Sequence, residues 1–231
     1  NFERKHIASF DRTIFVSAGD AAIHRRYVSK TMLIPNGVDL DYFAPQPVGE
    51  DYPSVIFTGH MSFQPNVAAA MFFVKDILPL VREEFPGLRF YVVGAEPSAE
   101  IQALHGHKGV VVTGFVDDIR PYLTRATVFV APMVNGSGIK NKILQALAMA
   151  KPVLSTTLGA EALKYEKDQD IAIADGAGAF AGRLSEFLRN ETARQTLSVR
   201  GRALVERHYS WEAAVKSYED LFEALKKENS L

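Results

Sequence analysis

The chain has 231 residues, 47% of them hydrophobic, enough for one large core or for one domain plus a piece of another. A net charge of −1 gives no general nucleic-acid footprint, and the lack of cysteine excludes disulfides and thiol catalysis while leaving the redox compartment open. No apolar run approaches the roughly 18 residues of a membrane-spanning helix. No signal peptide is legible, and the chain opens on Asn1-Phe2-Glu3-Arg4 without a methionine. It therefore reads as an excised piece whose missing ends have room for targeting signals.

Residues 1–35 read as the end of another unit: a helix over Glu3–Phe10, a short buried strand over Thr13–Val16, a helix over Asp20–Tyr27 and a strand over Met32–Ile34. Pro35-Asn36-Gly37-Val38-Asp39 carries a strong Asn-Gly turn signal. Residues 39–53, with four prolines or glycines, read as a linker. Val55–Thr58 is a buried strand ending at Gly59. The loop His60–Pro65 leads to Asn66, a good N-cap for a long helix over Val67–Phe85, which Pro86-Gly87 stops. Leu88–Val93 is a strand closed by Gly94, Ser98–Leu104 a short helix, and Val110–Thr113 a strand ending at Gly114. Phe115-Val116 follow, then Asp117-Asp118 as a helix cap.

Ala126–Met133 is a buried strand. Gly136-Ser137-Gly138 then opens a helix whose stripe Ile139, Ile143, Leu144 and Leu147 faces a sheet, and Ala146, Ala148 and Ala150 are small enough for close approach. Pro152 starts the next apolar run, Val153–Ser155, and Ile171–Ala174 is the last strand. Helices follow over Ala177–Arg189, Glu191–Arg207 and Trp211–Lys227, the last capped by Ser210. Strand and helix alternate at short spacing from 55 to 190, the pattern of an α/β domain with a doubly wound, Rossmann-like parallel sheet.

In such a sheet ligands sit at the carboxyl ends of the strands. Gly59, Gly94, Gly114 and Gly136 each follow a strand and would line one rim. Lys140 and Lys142 sit in the first turn of their helix, where the macrodipole disfavours cations. A phosphate there would reverse that sign, so glycines, free N–H groups and a lysine one turn in read as a phosphate cradle. The alternative reading is two solvated lysines beside a flexible turn. Other motifs carry less. Gly176-Ala177-Gly178-Ala179-Phe180-Ala181 has the spacing of a dinucleotide fingerprint, but it comes last in the alternation and no return strand with a terminal acid follows. Asp168-Gln169-Asp170 reads as a solvated turn, since two carboxylates bind Mg²⁺ poorly. His105 and His107 have no zinc spacing, and there is no Gly-x-Ser-x-Gly elbow or Walker lysine.

Several segments, in order, resemble the retaining glycosyltransferases of family four, which have the GT-B fold. Ile34-Pro35 with Asn36-Gly37-Val38-Asp39 and Phe43 resembles the interdomain junction of that family. Phe57-Thr58-Gly59, Gly114-Phe115-Val116-Asp117-Asp118, and Gly136-Ser137-Gly138 through Lys142 to Pro152-Val153 match successive donor-site segments. Tyr209-Ser210-Trp211 matches the start of its closing helix. The resemblance covers about residues 10 to 225. It implies that 1–34 are a remnant of an amino-terminal acceptor domain and crossover, and that 35–53 are the interdomain linker. Residues 54–208 would then be the nucleotide-sugar-binding half, and 209–231 a helix packing back toward the absent domain.

The resemblance also implies a transferase moving a sugar from a nucleotide diphosphate sugar to a hydroxyl acceptor, a polysaccharide or lipid-linked glycan, without a metal or other cofactor. The fragment alone would be inactive, because the amino-terminal domain, its partner within the same protein, holds the acceptor. The expected location is cytoplasmic, with the inner face of the membrane as the place of peripheral association. By family position, Gly59 and the loop Gly136, Ser137, Gly138 and Ile139 would meet the diphosphate, with Lys142 supplying charge to it as a catalytic group. The backbone of Phe115 and Val116 would meet the base. The sequence departs from the family in two places. Ser137 and Gln145 replace two glutamates eight apart, the second of which binds ribose; Gln145 still offers a hydrogen bond. His60-Met61 and Pro65-Asn66 stand where an arginine and a lysine are usual. His60 would then supply a catalytic donor and Asn66 would hold phosphate at a helix start. A GT-B-fold sugar-nucleotide epimerase and a degenerate, non-catalytic sugar-nucleotide or interaction module are the alternative readings.

Overall fold

The computed structural model of the chain describes residues 6–24, 28 and 30–228. Its main body is a six-stranded sheet in the order β5-β4-β3-β6-β7-β8. The strands are β3 (Ser54–Thr58), β4 (Arg89–Val93), β5 (Val110–Gly114), β6 (Val128–Ala131), β7 (Val153–Ser155) and β8 (Ala172–Ile173), and every pairing is parallel. Parallel neighbours need crossover connections, and the helices that supply them cover both faces. That explains why β3 and β6 are buried along their whole length and carry the apolar runs 55–57 and 128–131. Val55 and Phe57 point into the core under the helices Gln64–Phe72 and Ala177–Arg189. Ile56 and Phe129 point into the opposite core, with Ile143, Leu147 and Leu204 of the helices Asn141–Ala148 and Glu191–His208.

The strand order reverses between β3 and β6. The chain winds outward from β3 through β4 to β5, then returns to lay β6 on the other side of β3. Loops that leave adjacent strands in opposite directions open a crevice at the strand ends. Here it lies between the loop after β3 and the loop after β6.

A second, two-stranded parallel sheet is formed by β1 (Thr13–Phe15) and β2 (Thr31–Leu33), with the helix Ala18–His24 between them. The final helix, Trp211–Glu228, covers it by packing Ala214, Tyr218, Leu221 and Leu225 against Ile14, Met32 and Ile34. Ser210 caps that helix, accepting from the Ala213 N–H at 3.0 Å, as its sequence position suggested. The Val38 N–H donates to the Tyr209 carbonyl at 2.7 Å, which ties the segment after β2 to the start of this helix. Gly37 is needed there for space: a Cβ on it would stand 2.8 Å from the Trp211 backbone and ring. Phe10, Ile23, Leu33, Val215 and Phe222 remain exposed on this small lobe. Among the described residues no helix is long and apolar enough to cross a membrane.

Several boundaries differ from the sequence reading. Of the expected helix Glu3–Phe10, residues 3–5 lie outside the described residues and Ile7–Ser9 form a single 3₁₀ turn. The helix expected over Asp20–Tyr27 starts at Ala18 and is described to His24; Tyr27 lies outside the described residues. The helix expected to open at Gly136–Gly138 starts at Asn141, because Gly136 and Gly138 hold φ of 95° and 76°, outside the helical region. Ile139 therefore belongs to the loop, and Lys140 is the N-cap residue. Asn66 is not an N-cap either. The helix begins at Gln64 with Phe63 as its cap residue, since Pro65, with its fixed φ, fits the first turn.

Candidate functional site

The crevice at the switch point is a cavity of about 660 Å³, within the size range of small-molecule and cofactor sites. Its first wall is the loop after β3, built on a backbone lattice at the strand ends. The Gly59 N–H donates to the Val93 carbonyl at 3.0 Å, and the Gly94 N–H to the Gly114 carbonyl at 3.3 Å. The approach is so close that a Cβ on Gly94 would lie 1.8 Å from the Gly59 carbonyl oxygen. These glycines thus lower the rim and leave backbone facing the cavity. The second wall is the loop after β6, anchored where Thr156 Oγ1 donates to the Met133 carbonyl at 2.8 Å. At its tip Gly136 reaches across to Pro65, whose Cβ would be 3.2 Å from a side chain at 136.

Lys142, in the first turn of the helix Asn141–Ala148, turns inward. Its Nζ donates to Asn66 Oδ1 at 2.5 Å and lies 4.0 Å from the centre of the Phe57 ring. Asn66 Nδ2 donates in turn to the His60 carbonyl at 2.9 Å, so one amide side chain bridges the two walls. No carboxylate pairs with Lys142 among the described residues. Burial pushes its pKa down from 10.5 to about 7, and the nearby Lys140 charge adds to the shift. Lys140 donates to the Gly138 carbonyl at 2.7 Å; burial lowers its pKa too, against the opposing pull of Glu161 and Asp20. The Ile143 N–H donates to the Lys140 carbonyl at 2.8 Å, which closes the first turn of the helix beside the cavity.

Nearly all the sequence-derived residues come together here. Gly59, His60, Asn66, Phe115, Val116, Gly136, Ser137, Ile139, Lys142 and Gln145 line the cavity. Gly138 lies just behind the lining, 4.0 Å from Asp20 Oδ2 measured from a Cβ built on it. His60 sits at the rim rather than the floor: its ring pairs with Ser62 Oγ at 3.0 Å and lies 3.8 Å from Glu96 Oε2 in an exposed contact. Phe115 is 73% exposed at the opposite rim. Sequence reasoning missed Phe63, Pro65, Ile119 and Met133, which supply apolar lining, and Asn141, whose Oδ1 accepts from Asn36 Nδ2 of the linker at 3.1 Å. Phe57, read only as part of the segment Phe57-Thr58-Gly59, lies beneath Lys142 near the carboxyl end of β3.

The weaker motifs fall elsewhere. Gly176 precedes the helix Ala177–Arg189 as its cap residue, while Asp175 accepts from the Thr157 N–H and hydroxyl. Asp168 and Asp170 close a turn, accepting from the Ile173 and Glu166 N–H groups beside Arg183 and Arg200. The N-cap residue of the helix Arg120–Arg125 is Ile119, not Asp117 or Asp118; Asp118 sits one residue earlier and accepts from the Arg120 N–H at 2.9 Å. His105 Nδ1 accepts from the Val112 N–H. Among the described residues no group of three His, Cys, Asp or Glu side chains is placed to hold a metal ion.

A sequence model of the family described as "Glycosyl transferases group 1" matches residues 52–190, more than half of the chain. The chain belongs to this family. The match begins just before β3 and ends at the close of the helix Ala177–Arg189, so it contains the whole cavity. A phosphatidyl-myo-inositol mannosyltransferase of Mycobacterium leprae is 26% identical over 207 residues, 85% of this chain and 54% of the relative. Among solved structures, sucrose-phosphate synthase from Thermosynechococcus elongatus superposes with a TM-score of 0.80 at 21% identity, covering 98% of this chain and 61% of that one. Anabaena Alr3699/HepE, solved in complex with UDP and glucose, gives 0.72 at 14% identity over 92% and 62%. The chain thus has a Rossmann-like fold of the type seen in GT-B glycosyltransferases, and it spans about half the length of the curated relatives it matches.

Proposed function

We propose that this chain is the donor-binding half of a retaining glycosyltransferase that moves a sugar from a nucleotide diphosphate sugar to a hydroxyl acceptor. The observation that carries the reading is Lys142: an inward-turned amine, without a carboxylate partner among the described residues, on the floor of a cavity at the switch point of the sheet. When a glycosidic bond to a nucleoside diphosphate breaks, negative charge grows on the leaving phosphate. Fixed N–H donors of the 136–139 loop and a desolvated cation stabilise that charge, and more strongly in a dry site than in water. Gly59 and Asn66 would lie along the diphosphate and Gln145 against the ribose. Phe115 and Val116 would lie against the base, and His60 over the sugar. A protein cation in this position serves where other transferases use a metal ion.

The binding of UDP and glucose by Alr3699/HepE and the mannosyl transfer named for the mycobacterial relative support a nucleotide-sugar donor. The latter also points to a lipid-linked acceptor, hence to work at the cytoplasmic face of a membrane. The acceptor side would come from an amino-terminal half, of which β1, β2 and their helix are the final part and residues 35–53 the linker. The experiment has two arms. Calorimetry of the 231-residue chain with UDP, GDP and ADP should show binding of at least one, and no heat with any of them refutes the donor site. The full-length protein with labelled donors should release diphosphate only when acceptor is present. Release of free sugar without acceptor would favour an epimerase, and binding without release a non-catalytic module.

A further inference from the structure

The wall-to-wall bridge through Asn66 carries a consequence for how the site takes its ligand. Asn66 is buried on the third residue of its helix, with both ends of its amide engaged: Oδ1 accepts from Lys142 Nζ and Nδ2 donates to the His60 carbonyl. Among the described residues, the groups that touch Lys142, act on its charge or share its cavity wall are neutral or cationic. They are the Phe57 ring from β3, Asn66 and His60 from the loop beyond it, and Lys140 and Gln145 from its own loop and helix. The acids Asp20 and Glu161 act on the neighbouring Lys140. A buried cation usually has a carboxylate beside it, because an uncompensated charge in a low-dielectric site is costly. Here the acceptor is an amide, which fixes the position of Nζ without supplying a countercharge.

We propose that Asn66 is a positioning residue for Lys142, and that by holding it with a neutral acceptor it makes diphosphate binding take up a proton at Lys142. In the empty cavity the side chain carries its proton only partly at neutral pH. The incoming diphosphate supplies the missing negative charge, and the amine takes one proton from solvent to become the ammonium that the phosphate oxygens contact. The low pKa of the empty-site lysine agrees with this direction. The inference rests on the nucleotide-binding reading of the same cavity.

The test is calorimetry of the 231-residue chain at pH 8 with UDP, GDP and ADP, each in buffers of low and high ionisation enthalpy. Close to one proton should be taken up per nucleotide bound. Asn66→Asp, which places a carboxylate against the amine and keeps it protonated, should reduce the uptake to near zero and weaken binding at least tenfold. Lys142→Arg, charged at every accessible pH, should also abolish the uptake while still binding. If the wild-type heat is independent of buffer, the proton coupling is wrong although the nucleotide site stands. If uptake persists in Lys142→Arg, the proton goes to another group and the proposal fails. If Asn66→Asp changes affinity but not the proton count, Asn66 is only structural. No heat with any nucleotide removes the donor-site reading and this inference with it.

Discussion

Gly94→Ala probes the lattice on which the cavity is built. The new Cβ would stand 1.8 Å from the Gly59 carbonyl oxygen and 2.8 Å from its carbon. Both are backbone atoms at the end of β3, so no side chain can swing aside; the strand ends must part by roughly 1 Å. Overpacking of this kind costs about 1–3 kcal/mol. The φ of 146° adds strain of order 1 kcal/mol for a residue with a side chain. A loss of about 2–4 kcal/mol should lower the melting temperature by roughly 5–15 °C in a domain of this size. Because Gly59 forms the cavity wall, nucleotide binding should fall as well. Gly114→Ala is the control: its φ of 69° is also unusual, but nothing lies within 4 Å of its Cβ. It should lose only about 1 kcal/mol. Thermal unfolding followed by circular dichroism measures both. Equal losses in the two variants would mean that backbone conformation, not the contact between Gly59 and Gly94, sets the rim.

Further outcomes follow from individual side chains. Lys142→Ala should weaken nucleoside diphosphate binding by about 1.5–3 kcal/mol, roughly 10- to 150-fold, as for a lost charge-assisted bond; an affinity within twofold of wild type would demote it to a bystander. Unfolding of the unliganded chain in urea should show stability rising with pH above about 7. Between there and 10.5 the unfolded lysine binds more protons than the folded one. Lys140 and Lys151, also lowered by burial, act in the same direction. Lys142→Met should reduce that slope by up to about 1.4 kcal/mol per pH unit, and an unchanged slope would contradict the uncompensated burial. Arg202 Nη1 donates to the carbonyls of Ala148 at 2.5 Å and Phe43 at 3.0 Å, pinning the linker to the end of the site helix. Arg202→Met should cost about 1–3 kcal/mol and speed hydrogen exchange in the segment 39–45; unchanged exchange there would show that the linker is held by other contacts.

What was legible in the sequence divides by the range of the interaction. The central strands β3 and β6 announce themselves because a parallel strand covered on both faces is apolar along its middle, and 55–57 and 128–131 are. The glycines after the strands marked the rim for a local reason as well, since only a residue without Cβ fits where Gly94 meets Gly59. The start of the site helix was set too early. Gly136 and Gly138 were read as part of a helix, whereas their positive φ values spend those residues on a loop that reaches Pro65. Asn66 was assigned to a cap from its residue type, but its partners, Lys142 and the His60 carbonyl, are a long-range contact and a short backward one that no periodicity encodes. The inward turn of Lys142 onto Phe57 joins a helix residue to a strand residue far from it in sequence, and only the sheet order brings them together.

A crystal structure of the 231-residue chain grown with a saturating nucleoside diphosphate tests the central claim most directly. The expected result places the two phosphates between Gly59 and the 136–139 loop, within hydrogen-bonding distance of Lys142 Nζ, with the base beside Phe115 and Val116. A nucleotide bound elsewhere, or phosphates seated in the cavity with Lys142 still held only by Asn66, would contradict it.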